Sequence, residues 1–445
     1  MTRIAHYCSS PTFDTPWYIC LLKSTHLCHR WREIITSCPS LWTLIRAQPP
    51  EIAAIFLERS RDLPLDIYTL SDPCYEPTNL RRIRTLCLRT SGLRGLSELF
   101  LRLTVPSPVI TEVIIDVTGS VHGLFPDLPP LFGDMSTIRS LSLDVDFDRK
   151  LLSFTSLTSL DISIFGVLLP PFLDLLAVNP TLEFISISVW GTTPFPKGQV
   201  DTPAIALNNL VTLHCRDASR YLLSRLLLPP STSIQIEDTG FPLVLSRTLP
   251  TPIPNIRCLA QIDSLRLTTT SKATYSGPAT NTHSVRLAGS GGSVDIHWIM
   301  GYDGPRRFDP QPLSLGYVKE MSITHETIIG DPRASELDLS LLFDAMKGLE
   351  VLRIRSCLPT DCHNILSPFN DNSICPSLHT VEIVHPIIQT QWLSALVQTA
   401  KRRHEAGLAL RKVLISPHPD SDSPAQRYIR ELTGVTLEPC EPNAV

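Results

Sequence analysis

Charge is scarce in this chain of 445 residues: Asp, Glu, Lys and Arg make up 18% of it, and 39 basic against 43 acidic residues leave a net charge of −4. Without a basic excess there is no global electrostatic drive toward nucleic acid or an anionic membrane surface, so neither is expected as a partner. No run of eighteen apolar residues occurs, so no membrane-spanning helix is expected. The opening "MTRIAHYCSSPTFDTPW" lacks the unbroken apolar core of a secretion signal. A glycosylation acceptor is missing too, because Asn179-Pro180-Thr181 carries the excluded proline. The 12 cysteines are scattered between Cys8 and Cys440 without the clustering of a disulfide scaffold, which suits reduced thiols. The expected setting is cytoplasmic, nuclear or both.

Catalytic signatures are also lacking. There is no G-x-S-x-G elbow, H-E-x-x-H helix, P-loop or strand-linked G-x-G-x-x-G, and "AGSGGS" at 288–293 has the wrong spacing for a phosphate cradle. His418 and Asp420 sit in a Pro/Ser turn region with no partner motif. Neither enzymatic activity nor a cofactor is expected. What the chain does have is 43% hydrophobic residues, which implies extensive burial. Its length exceeds what one core usually supports, so several domains or a repeat array should result.

A short phrase returns along most of the chain: an apolar residue, two others, then two apolar residues separated by one. "IRTLCL" at Ile83, "ITEVII" at Ile110, "IRSLSL" at Ile138 and "LTSLDI" at Leu157 open the series. It continues with "LEFISI", "LVTLHC", "IDSLRL", "VKEMSI", "LEVLRI", "LHTVEI" and "LRKVLI", and two weaker members are "STSIQI" and "GGSVDI". Successive phrases lie 19 to 32 residues apart, about 27 on average. Between them run stretches of helical periodicity, such as "GLRGLSELFLRL", "PPFLDLLAVNP", "SRYLLSRLLLPP" and "QWLSALVQTAKRRHEAG". The unit is strand, turn, helix, turn, and stacked copies bury one continuous core behind a parallel sheet.

The spacing is close to that of leucine-rich repeats, and the pattern resembles that family, with a variable residue where it usually has Asn. The expected fold class is therefore α/β: a short helical segment followed by an irregular leucine-rich-repeat solenoid, a horseshoe of parallel strands backed by helices. An ordinary doubly wound α/β domain is the alternative. Polar residues 268–293 read as a loop or irregular repeat, and 302–316 as a second irregular stretch. Side chains between the two inward positions of each phrase should form the concave face: Cys87, Ile114, Ser142, Asp161, Ser186, His214, Gln235, Arg266, Asp295, Ser322, Arg353, Glu382 and Leu414. Of these, Asp161, Ser186, His214, Arg266, Arg353 and Glu382 are the candidate substrate-binding set, and Arg266, Arg353 and nearby Arg355 suggest a modest basic patch.

Near the start, "STHLCHRWREIITSCPSLWTLI" (24–45) is unusually dense. Leu27, Trp31, Ile34 and Ile35 fall on one helical face, with Ser24 or Thr25 as cap and Pro39 as stop. His26, Cys28, His29 and Cys38 lack metal-ligand spacing. His29, Arg30 and Arg32 are followed at once by Glu33, too thin a charge for nucleic acid. The stretch resembles the second half of the F-box as found in many fungal F-box proteins, through Leu27, Cys28, Trp31, Arg32, Ile34, Pro39, Leu41, Trp42 and Ile45. Pro16-Trp17 and "FLERSRDLPLDI" (56–67) extend the likeness. Of the Leu-Pro-x-Glu-Ile-Leu first helix usual in that family, at most Ile4 to Cys8 have a counterpart.

The resemblance implies a substrate-receptor subunit of an SCF-type ubiquitin ligase. The F-box would dock on a Skp-type adaptor, and the repeats would hold an unknown protein substrate. Such a receptor works by proximity, raising the substrate's effective concentration beside a conjugating enzyme. The docking set it implies is Leu27, Cys28, Trp31, Ile35, Leu41 and Trp42. The competing reading has Trp31 and Trp42 packing only against each other and the first repeat. The alternative function is a leucine-rich-repeat interaction scaffold that has lost ligase docking through an incomplete F-box. Expected boundaries are 1–48 for the partial F-box-like module, 49–63 for a connecting helix or linker, 64–437 for the repeats and 438–445 for a tail.

Overall fold

The computed structural model describes residues 17–46, 49–68, 74, 76–91, 103, 105, 107–118, 136–144, 154–165, 169–190, 204–216, 219–238, 262–272, 280–289, 292–300, 310–311, 313, 315–328, 339–356, 359–384, 390–416 and 436–439. It is a mixed α/β structure of large, mostly parallel sheet and several helices, divided into two compact units, Met1–Leu182 and Glu183–Val445.

The first unit begins with α1 (Trp17–Ser24), α2 (His29–Thr36) and a 3-10 turn over Pro39–Trp42. β1 (Leu44–Ile45), α3 (Pro50–Arg59), β2 (Leu65–Ile67) and α4 (Pro77–Leu80) follow. Then come β3 (Ile83–Ser91), β4 (Glu112–Thr118), β5 (Ser140–Asp144), β6 (Ser159–Phe165) and α5 (Leu169–Val178). Strands β1 to β6 pair in chain order, all parallel.

The second unit holds β7 (Phe184–Trp190), β8 (Ile205–Ala206), β9 (Thr212–Arg216), α6 (Ser219–Arg225), β10 (Leu226–Leu227), β11 (Ser233–Asp238) and β12 (Ile262–Lys272). β13 (Thr280–Gly289), β14 (Gly292–Met300), β15 (Glu320–Ile328), α7 (Ser340–Ala345), β16 (Val351–Ser356) and α8 (Pro359–Leu366) come next. A 3-10 turn at Ser367–Asn370, β17 (Thr380–Val384), α9 (Thr390–Glu405), β18 (Lys412–Ser416) and β19 (Thr436–Pro439) complete it. Its main sheet runs β7, β9, β11, β14, β13, β12, β15, β16, β17, β18, β19, parallel throughout except for antiparallel β13.

The period in the sequence is a period in the backbone. The residue after each leading apolar position donates its N–H to the equivalent carbonyl one repeat earlier: Thr111 to Arg84, Arg139 to Thr111 and Thr158 to Arg139 in the first unit. In the second, Val211 donates to Glu183, Glu350 to Lys319, His379 to Glu350 and Arg411 to His379. Several acceptors take a second N–H from the following residue: Val351 donates to Lys319, Thr380 to Glu350 and Lys412 to His379. The inward pairs follow. Leu86 and Leu88, Val113 and Ile115, Leu160 and Ile162, Leu352 and Ile354, and Val413 and Ile415 are all buried. Alternation alone puts them on one side of the pleat, and burying each contributes about 2 kcal/mol.

One rung is made by an amide. Buried Asn179, just after α5, accepts from the Leu157 N–H at 2.9 Å and donates through Nδ2 to the carbonyls of Phe154 (2.7 Å) and Leu175 (2.9 Å). It thereby joins the end of a helix to the approach of the preceding strand. Asn179→Ala strands these groups without water and is expected to cost about 2–3 kcal/mol, read as a lower urea midpoint. Ser107, Thr181 and Thr232 make lighter links of the same kind, to the carbonyls of Ile83, Leu157 and Leu210.

Several expectations need correction. Residues 268–293 are not a loop over their described part: β12 extends through Thr268–Lys272 positions and β13 occupies 280–289. Threonine favours the pleated surface, and β13 pairs antiparallel with β14, Gly289 opposite Gly292, as a hairpin does. This hairpin also reorders the sheet, so that "GGSVDI" pairs with "STSIQI" and precedes "IDSLRL" across it. The dense helix starts at His29 with Cys28 as its N-cap residue, not at Ser24 or Thr25. Those two instead close α1, through Ser24 Oγ on the Cys20 carbonyl and Thr25 Oγ1 on the Leu22 carbonyl. "SRYLLSRLLLPP" gives helix only to Arg225 and then the short strand β10. Ile4 to Cys8, Pro16, most of 302–316 and all of "GLRGLSELFLRL" but Leu103 lie outside the described residues.

Candidate functional site

In the first unit the side chains of the dense stretch separate by burial. Trp42 is 0% exposed: its ring meets Phe56 of α3 edge-on at 4.9 Å, Arg59 lies over it at 4.4 Å, and Nε1 donates to the Ile35 carbonyl at 2.9 Å. Ile35 is buried beside it, and Leu41 is part-buried. Proline 39 lets the chain double back here, which lays Leu41 and Trp42 against α2. On the other side, Leu27 is 70% exposed, Trp31 52% and Ile34 49%, with Cys28 exposed at the helix start. Trp31 and Ile34 are three residues apart on α2 and so share a face, with Leu27 on the turn before it. Arg32 stiffens that turn by donating Nε to the Thr25 carbonyl at 3.0 Å. Of the six docking candidates, then, Leu27, Cys28 and Trp31 are open to a partner, while Ile35 and Trp42 support them from inside. Ile34, outside that set, joins the open group.

The module is fastened to the sheet by arginines. Arg82 donates to Ser60 Oγ at 2.7 Å, to the Leu63 carbonyl and to Asn79 Oδ1. Arg84 makes a two-pronged pair with Asp66, 3.0 and 2.6 Å, and that hydrogen bond holds its pKa above the usual arginine value. β1 then pairs with β2, so the helices lead directly into the first strands.

The expected concave face resolves into rows of register partners, one in each unit. In the first, Cys87, Ile114, Ser142 and Asp161 align strand by strand, and Ser142 Oγ lies 3.3 Å from Asp161 Oδ2. In the second, Ser186, His214, Gln235 and Asp295 align, followed by Arg286, Arg266, Ser322, Arg353, Glu382 and Leu414. Register partners share a face. Five of the six candidate residues, Ser186, His214, Arg266, Arg353 and Glu382, thus lie in one row, and Asp161 belongs to the other.

Charge along the second row is arranged in pairs. Arg353 donates Nη1 to Glu320 at 2.7 Å and Nε to Glu382 at 3.0 Å, and the bond to Glu320 leads in raising its pKa. Glu382 is buried. His214 and Arg216 each approach Glu237 at 3.4 Å. Arg266 stands exposed between the two ends. Arg286 had no place in the expected set because its segment was read as a loop or irregular repeat; the alternation in "THSVRLAG" was the available signal.

Among the described residues no group of three or more His, Cys, Asp or Glu side chains is placed to hold a metal, and no helix is long and apolar enough to cross a membrane. No protein-family model matches the chain, and comparison with curated proteins gives no match.

Proposed function

We propose that the chain is a substrate-receptor subunit of an SCF-type ubiquitin ligase. In this reading α1 and α2 dock on a Skp-type adaptor, and an irregular leucine-rich-repeat solenoid holds the protein to be ubiquitinated. The observation that carries the docking half is the exposed trio Leu27, Trp31 and Ile34, backed by buried Ile35 and Trp42. Large apolar side chains grouped in the open on a rigid support are what a partner groove accepts, and tryptophan is the commonest anchor in such contacts. Support for the repeat half comes from the regular spacing of parallel strands and the carbonyl ladder that links them. No reacting group is required of this chain, because tethering supplies the rate enhancement.

The test is capture of a co-expressed Skp-type adaptor by the full chain and by Trp31→Ala. Wild type should hold the adaptor, and the variant should lose at least about tenfold in affinity, as expected of an interface anchor, with a thermal midpoint close to wild type. Equal capture by both proteins would overturn the assignment of this face. No capture by a folded wild type would leave a repeat scaffold without ligase docking.

A further inference from the structure

Charge is distributed unevenly around α2. The described residues 17–46 contain four basic residues, Lys23, Arg30, Arg32 and Arg46, and a single acid, Glu33, in a chain whose net charge is −4. At about 100° per residue around the helix, Arg30 and Arg32 stand to either side of Trp31, while Glu33 lies on the far side. Arg30 precedes Ile34 by one turn and so borders the open apolar trio.

The exposed charges are not equivalent. Glu33 is engaged at the back of the helix, where His29 Nδ1 approaches it at 3.5 Å. Arg32 gives one N–H to the Thr25 carbonyl and keeps the rest of its fork. Arg30 is exposed and makes no ion pair with a described residue. Burying Trp31 and Ile34 against a partner therefore carries Arg30 to the edge of the contact. A neutral surface there would strip water from the guanidinium and give nothing back, whereas a carboxylate would replace that water with a charge-assisted hydrogen bond. A second copy of the chain would set the same cations against one another, so the face is unsuited to self-pairing.

We propose that the partner surface receiving α2 is an apolar groove with carboxylates on its rim. Arg30 is the residue that recognises them, and Arg32 adds to the attraction. This rests on the adaptor docking proposed above and names the chemistry its partner must carry. The two kinds of contact act on different rates. Rim charges steer the approach and are screened by salt, whereas an apolar anchor governs how long the complex lasts.

The experiment measures association and dissociation rates of the full chain on an immobilised Skp-type adaptor, by surface plasmon resonance at about 50 and about 500 mM sodium chloride. Wild type should associate at least about fivefold more slowly at the higher salt. At the lower salt Arg30→Gln should associate about threefold more slowly than wild type, with a weaker salt dependence and a dissociation rate close to wild type. Trp31→Ala should keep the salt dependence and dissociate about tenfold faster. Arg30→Gln should melt with wild type, because the side chain is exposed.

Association that is independent of salt, or identical in wild type and Arg30→Gln, would overturn the acidic rim and leave adaptor docking intact. No binding by folded wild type at either salt would overturn docking and rim together. Attachment to vesicles of phosphatidylcholine and phosphatidylserine in place of adaptor binding, lost in both variants, would assign the face to a membrane surface and overturn the proposal.

Discussion

Trp42→Ala should lower the stability of the first unit by about 4 kcal/mol, whereas Trp31→Ala should change it by less than about 1 kcal/mol. The two tryptophans are eleven positions apart in one short motif, yet their surroundings differ completely. Trp42 is fully buried, stacked edge-on against Phe56 and covered by Arg59, so truncation empties a large volume at the junction of α2, α3 and β1. It also removes the shorter of two hydrogen bonds to the Ile35 carbonyl, which keeps only the Cys38 N–H at 3.3 Å. Trp42→Phe separates these contributions. It keeps most of the ring packing and loses the N–H, so its cost should fall near 1–2 kcal/mol. Urea unfolding followed by circular dichroism reads all three variants. A cost for Trp42→Ala no larger than that for Trp31→Ala would contradict this account of the core.

The same contrast decides how docking is tested. Under the proposed docking, a Trp42 substitution should abolish capture by loosening the support of α2, whatever the partner touches. Trp31 is half exposed, so its removal should delete only the proposed partner contact and leave the scaffold standing.

Helical periodicity in 24–45 revealed that an apolar stripe exists, but a stripe has no information about what covers it. Ile35 is covered by the returning turn that carries Trp42; Leu27, Trp31 and Ile34 are not. The strand phrases were more legible. Alternation of two puts Leu86 with Leu88, and Val381 with Ile383, on one side of the pleat whatever their neighbours are. Because the same phrase recurs, the residues between the inward positions become register partners, which is how Arg353 comes to face Glu382. β14 was legible as "GGSVDI", but β13 escaped because its first half, "TNTHS", is polar and only Val285 and Leu287 alternate after it. The insertion of their hairpin between β11 and β12 depends on pairing between segments far apart in sequence, and so do the contact of Arg353 with Glu320 and the meeting of Arg266 with Arg286.

Arg403→Ala should be the most damaging substitution in the second unit, at about 4 kcal/mol. Arg403 lies in the last turn of α9 and is 0% exposed, an unusual position for a guanidinium. It donates to the carbonyls of Ile374, Cys375, Pro376 and Leu378, at 3.3, 3.0, 3.4 and 3.0 Å. Burial lowers its pKa below the usual arginine value, but a guanidinium remains charged in a folded protein. The turn it clasps contains Cys375 at φ 45°, a left-handed conformation that costs a non-glycine residue about 1 kcal/mol or more. The Cys375 thiol is pushed up to about 12 by burial and stays protonated, so it offers no charge to balance Arg403. The carbonyls must do so. Removing the side chain therefore takes a donor from four carbonyls, of which Cys375 keeps the Leu378 N–H at 3.1 Å, and leaves a strained turn without its clasp and a cavity behind it. Arg403→Lys restores the charge with a single point donor and should recover part of the loss; Arg403→Met restores volume alone and should recover less. The consequence reaches the open face, because this turn leads into β17, which carries Glu382 to Arg353. Urea midpoints should fall in the order wild type, Lys, Met, Ala, and a Met variant as stable as wild type would show that packing, not the hydrogen bonds to the turn, is what Arg403 provides.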